Sequence, residues 1–159
     1  MNLADVSTVV LVIVALQLVF VAWWLAVAGL FPRVVEGCAE VLGSAPIASA
    51  LLGLACAVPL IVAALAIGKA VPGAAGNLAR VAILLATVFV ALSGTAGLAW
   101  RIGRGLDEAG SSLRRMLRGG VVLALIYLTI VWGPLTLLAG LGAIVRVWFT
   151  RRPGAVSQP

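Results

Sequence analysis

The chain has no histidine at all, only two cysteines, one lysine and five carboxylates, and charged residues make up 10% of its length. Each shortage removes a class of chemistry. Without histidine there is no haem axial pair, no His-based zinc site and no imidazole general base. Two cysteines alone cannot hold an ordinary iron–sulfur cluster, and Cys38 in a loop and Cys56 deep in an apolar run predict two free thiols. The carboxylates Asp5, Glu36, Glu40, Asp107 and Glu108 all fall at the ends of apolar runs or between them. None sits inside a run, where proton relays and ion-coupled transporters keep their ionisable groups. Glu36 and Glu40 are one helical turn apart and read as solvated surface rather than an acid/base pair. Ser111 and Ser112 have no base partner and read as capping or linker residues. No cofactor, metal or catalytic residue is expected.

What the chain has in abundance is apolar residues, 64% of 159, with a mean hydropathy of +1.23. That is the composition of an integral membrane protein, and it predicts an all-α polytopic domain over 1–159. The first span is expected at 6–31, about 39 Å as a helix at ~1.5 Å per residue, long enough to cross a ~30 Å core when tilted. MNLADVS before it carries an acid and no base, unlike a secretory signal, so the span is expected to be retained. Trp23 and Trp24 are expected near an interface. Pro32 ends this helix. Val34, Val35, Cys38, Val41 and Leu42 then share one helical face, as in a short helix lying on the membrane.

Further spans are expected at 46–67, kinked at Pro59, and at 81–100, joined by the Gly- and Pro-containing turn GKAVPGAAGNLAR. The last apolar region, interrupted at Gly133 and Pro134, reads as one kinked span over 121–145, giving four in all. A polar tail occupies 150–159. The alternative for that last region is a re-entrant hairpin. Four spans divide the Lys and Arg residues five against six, whereas a hairpin divides them nine against two and puts the N-terminus outside.

Residues 101–120, RIGRGLDEAGSSLRRMLRGG, are the exception to the apolar pattern. On a wheel at about 100° per residue, Ile102, Leu106, Ala109, Leu113, Met116 and Leu117 form a stripe opposite the arginines. The segment is predicted to be an amphipathic basic interfacial helix that Gly110 can divide, with Ser112 as the cap of its second part. Arg101, Arg104, Arg114, Arg115 and Arg118 are the candidate contacts to anionic lipid or a cytoplasmic partner. Nucleic acid is not expected, because both ends are tied to the membrane and no aromatic stacking residues accompany the arginines.

Helix packing is expected at the small pairs Gly53 and Ala57, Ser93 and Gly97, and Ala139 and Ala143. Gln17 is expected to face protein or water rather than lipid, and Thr87, Thr95, Tyr127 and Thr129 are further candidates for hydrogen bonds between helices. Aligning Pro59-Leu60 with Pro134-Leu135 gives only a faint two-plus-two internal repeat.

The order FPRVVE, Pro46, Gly53-Leu54, Pro59-Leu60, Gly68 to Pro72, Gly97, Ile102-Gly103-Arg104, Arg118-Gly119, Gly133-Pro134 and Gly140-Leu141-Gly142-Ala143 resembles the bacterial multi-span membrane domain found beside bactofilin-type polymer-forming domains. The chain has no β-helical portion to accompany it. The resemblance implies a scaffold or anchor module in the bacterial inner membrane, its arginine loop in the cytoplasm, and it implies no catalytic residue. The expected function is a non-enzymatic membrane subunit or scaffold, homo-oligomeric or part of a larger complex. The alternative is a small homo-oligomeric channel or transporter lined by Gln17, Thr95 and Thr129.

Overall fold

The computed structural model describes residues 2–107, 111–128 and 132–150. Among them are six α-helices and no strand: α1 (Leu3–Leu30), α2 (Pro32–Ser44), α3 (Pro46–Ala70), α4 (Ala74–Leu106), α5 (Ser112–Tyr127) and α6 (Trp132–Thr150). Three helices are long and apolar enough to cross a membrane, over Asp5–Leu30, Pro46–Ala70 and Ala74–Leu106.

Local chemistry sets most of the boundaries. The backbone N–H of Asn2 donates to the Asp5 carboxylate at 3.1 Å, which satisfies one free donor at the start of α1. Pro32 and Pro46 each open a helix, where a missing N–H breaks no bond. The turn after α3 closes on Gly73 at φ 88°, a left-handed conformation that glycine adopts without strain. Helix α3 runs on through Pro59, whose side chain is exposed.

α4 is the axis of the molecule, and its small residues decide how closely the others approach. Gly103 faces the Arg115 backbone and Gly119 faces Ala99, so α5 packs antiparallel to α4. Gly94 meets Gly140, while Leu98 packs beside Ala143 and Val147, so α6 runs parallel to α4. Gly53 meets the Leu138 carbonyl and Gly142 meets that of Ser49, which lays α6 antiparallel against α3. At these crossings a methyl group on the glycine would overlap backbone. α1 runs parallel to α4, with Trp23 against Phe89 and Trp24 bonded to Thr95.

Three expectations need correction. The last apolar region is not one kinked helix over 121–145. α5 ends at Tyr127, α6 begins at Trp132, and the two run in opposite directions along α4. Gly133 and Pro134 therefore stand in the first turn of a new helix, where proline is tolerated, rather than at a mid-span kink. The apolar part of α6, Gly133–Phe149, spans only about 25 Å at ~1.5 Å per residue, short of a ~30 Å core.

The basic segment 101–120 is not one interfacial helix either. Its first part continues α4 to Leu106 and its second part is the start of α5, so the break falls after Asp107 rather than the stripe running through. α5 opens at Ser112 with Ser111 as its N-cap residue, and the Ser111 hydroxyl makes no capping bond. Glu108, Ala109 and Gly110 lie outside the described residues.

Finally, α2 turns its apolar face to protein instead of to the bilayer. It crosses α4 at Gly97, with Val35 against α1 and α5 and with Cys38 and Leu42 against α6.

Candidate functional site

The helix directions gather the arginines. α1 and α4 both end, α5 begins, and α6 ends at the same end of the molecule. Arg33, Arg101, Arg104, Arg114, Arg115, Arg118 and Arg146 all stand there, whereas Lys69 and Arg80 stand at the other end, beside the turn between α3 and α4. Arg151 and Arg152 lie outside the described residues.

Each arginine is held differently. Arg33 occupies the first turn of α2 and is exposed. Arg101 lies over Gly43 of α2, where a side chain on residue 43 would collide with its guanidinium. Arg104 projects from the last turn of α4, where a cation complements the helix dipole. An open cleft of about 350 Å³ between α2 and α4 brings Arg101 and Arg104 together with Glu40.

The arginines of α5 begin a helix, an unfavourable place for positive charge. Two of them turn back onto α4. Arg115 Nε donates to the Asp107 carbonyl at 2.9 Å, and Arg118 forms an ion pair with the Asp107 carboxylate at 3.0 Å. These contacts close the hairpin between α4 and α5. Asp107 is 16% exposed and Arg118 52%, so the pair is half in water and contributes at most about 1 kcal/mol. Arg114 makes no such tie and stays exposed.

The helix-packing candidates fall as follows. Gly53 and Ala57 lie on the buried face of α3, and Ala57 clusters with Ala91 and Leu141. Gly97 is covered by Cys38 and Ala39, while its companion Ser93 donates to the Phe89 carbonyl of its own helix at 2.8 Å. Ala143 is fully buried and Ala139 packs beside it. Gly53 makes one of the closest approaches, and outside the expected pairs Gly94, Gly103, Gly119 and Gly142 come as close to facing backbone, with Gly140 beside them. For Gly94, Gly140 and Gly142 the signal was the density of small residues in ALSGTAGLA and AGLGA, which a search for pairs four apart passes over.

The serine and threonine hydroxyls inside the bundle donate to carbonyls of their own helices. Thr95 is fully buried, donating to the Leu92 carbonyl at 2.7 Å and accepting from Trp24 Nε1 at 3.0 Å. Thr87 donates to the Ile83 carbonyl at 2.8 Å. Gln17 is half-buried with its carboxamide oxygen out of contact with solvent. Thr129 lies outside the described residues. Trp24 faces protein. It is fully buried and stacks with Phe20 at 6.1 Å, while Tyr127 closes the group from α5 at 5.8 Å. Cys38 and Cys56 are both free thiols. Among the described residues no three His, Cys, Asp or Glu side chains come together as metal ligands would.

No protein-family model, curated protein or solved structure matches the chain.

Proposed function

We propose that this chain is a non-enzymatic integral membrane subunit or scaffold of the bacterial cytoplasmic membrane, with its arginine end at the cytoplasmic face. The observation that carries the reading is the segregation of cations to one end, where the α5–α6 hairpin returns the chain. Lys and Arg near span ends collect in the cytoplasm, so the N-terminus belongs outside and the C-terminus inside.

In this reading α1, α3 and α4 cross the bilayer while α5 and α6 dip into it from the cytoplasmic side. The exposed Arg33, Arg104 and Arg114 meet lipid phosphates or an acidic cytoplasmic partner, each contributing on the order of 1 kcal/mol beside an anionic leaflet. The outer half of α1, exposed from Asp5 to Leu16, leaves a helix surface for lipid or another subunit. A pore lined by Thr95 has little support, since that hydroxyl is sealed between Trp24 and Leu92.

The test is retention of phosphatidylglycerol by the purified protein across a salt series. Replacing Arg33, Arg104 and Arg114 together with Gln is expected to lower retention and flatten its salt dependence. Arg115 and Arg118 are left in place because they hold the α4–α5 hairpin. Unchanged retention at every salt concentration overturns the lipid-binding role.

A further inference from the structure

At the arginine end, the last turns of α1 do not close against α5. A cavity of about 300 Å³ remains between α1, α2, α4 and α5, near the lower limit of small-molecule pockets. Its lining is mixed. Leu25, Ala28, Trp100 and Met116 give it apolar walls, and Glu36 and Ser112 supply its polar part. From Leu25 to Pro32 the cavity follows α1 for about 10 Å at ~1.5 Å per residue.

Glu36 is the one charged residue in the lining, and among the described residues it has no ion-pair partner. That is unusual company at an end of the molecule crowded with arginine. A cavity that holds one carboxylate, an indole and apolar walls fits a positively charged amphiphile: the cation is drawn to Glu36 and the ring, and the chain to Leu25 and Ala28.

We propose that this cavity is a binding site for the ammonium group and upper chain of an amphiphile, met in the membrane as an aminophospholipid headgroup. The inference rests on the membrane placement above but not on what the arginine face binds.

Native mass spectrometry of the full chain, titrated with phosphatidylethanolamine, phosphatidylglycerol or phosphatidylcholine, tests it. Phosphatidylethanolamine is expected to bind preferentially, and Glu36→Gln to weaken that binding on the order of tenfold while leaving phosphatidylglycerol unchanged. Gly29→Leu supplies a second variant, since Gly29 lines the cavity and a Cβ there meets nothing within 4 Å. It is expected to fill the space and remove the phosphatidylethanolamine adduct from a protein that still folds.

Dodecylammonium separates the two sources of the charge. Its displacement of the lipid, unmatched by dodecyl sulfate, supports recognition of the ammonium itself. Equal displacement by both detergents, or phosphatidylethanolamine binding that neither variant alters, overturns the site. Loss of phosphatidylglycerol binding in the arginine variant, with phosphatidylethanolamine retained, separates the cavity from the arginine face.

Discussion

Trp24 on α1 donates its indole N–H to the hydroxyl of Thr95 on α4 at 3.0 Å, and both side chains are fully buried. This bond fixes the rotation of α1 on the axial helix, in a group completed by Phe20 and Tyr127. Thr95→Val keeps the shape and removes the acceptor. It is expected to lower stability by about 1 kcal/mol, within the 1–3 kcal/mol range for an orphaned buried donor, while Thr95→Ser stays close to the parent. A Trp24→Phe, Thr95→Val cycle in detergent unfolding should give a coupling near 0.6 kcal/mol, the average for bonds between membrane helices. A coupling of zero would mean the two groups do not interact.

The crossings on α3, α4 and α6 depend on glycine. Gly53→Leu, Gly140→Leu and Gly142→Leu each drive a side chain into a facing backbone carbonyl and are expected to cost about 1–3 kcal/mol or to prevent folding. Gly105→Leu enters open space and serves as the comparison. Thermal aggregation of the four variants in one detergent checks the order. Similar midpoints for all would show that the helices are not in this register.

The hairpin makes a prediction that four spans do not. Reporters fused to the two termini are expected on opposite sides of the membrane, the C-terminal one in the cytoplasm. Four full spans place both on one side. An impermeant thiol reagent added outside should likewise reach Asn77→Cys and not Gly105→Cys, provided Cys38 and Cys56 are first replaced by Ala.

The Asp107 tie should matter less than its geometry suggests. Because the pair is half solvated, Arg118→Gln is expected to change stability by less than about 1 kcal/mol, with the difference shrinking in high salt. A loss of several kcal/mol, measured by denaturant unfolding, would show that the tie lies in a drier setting.

Spans and boundaries were legible because they are local. Length, hydropathy, Pro32 and the Gly73 turn need no knowledge of neighbours, and α1, α3 and α4 fall on the expected runs. The course of the last region was not local. VVLALIYLTIVWGPLTLLAGLGAIVRVWF is long enough to cross, and only the small-residue face of α4 makes a double pass between α1 and α3 feasible. The arginine asymmetry pointed to that hairpin, while length argued against it. The interior place of Trp24 was hidden for a related reason: it is set by Thr95, seventy-one residues away. The arginines were visible in sequence, but the division into tied residues, Arg115 and Arg118, and exposed ones depends on where α4 stops.

The hairpin also makes the molecule unequal from end to end. Near the Gly73 turn its cross-section is three helices, α1, α3 and α4, while toward the arginines α5, most of α6 and α2 are added. In the proposed placement, a body of that outline would displace more lipid from the cytoplasmic leaflet than from the other. It is a wedge, and in a flexible bilayer a wedge settles where the leaflet holding its broad end is expanded, so membrane curvature itself can influence where this protein gathers.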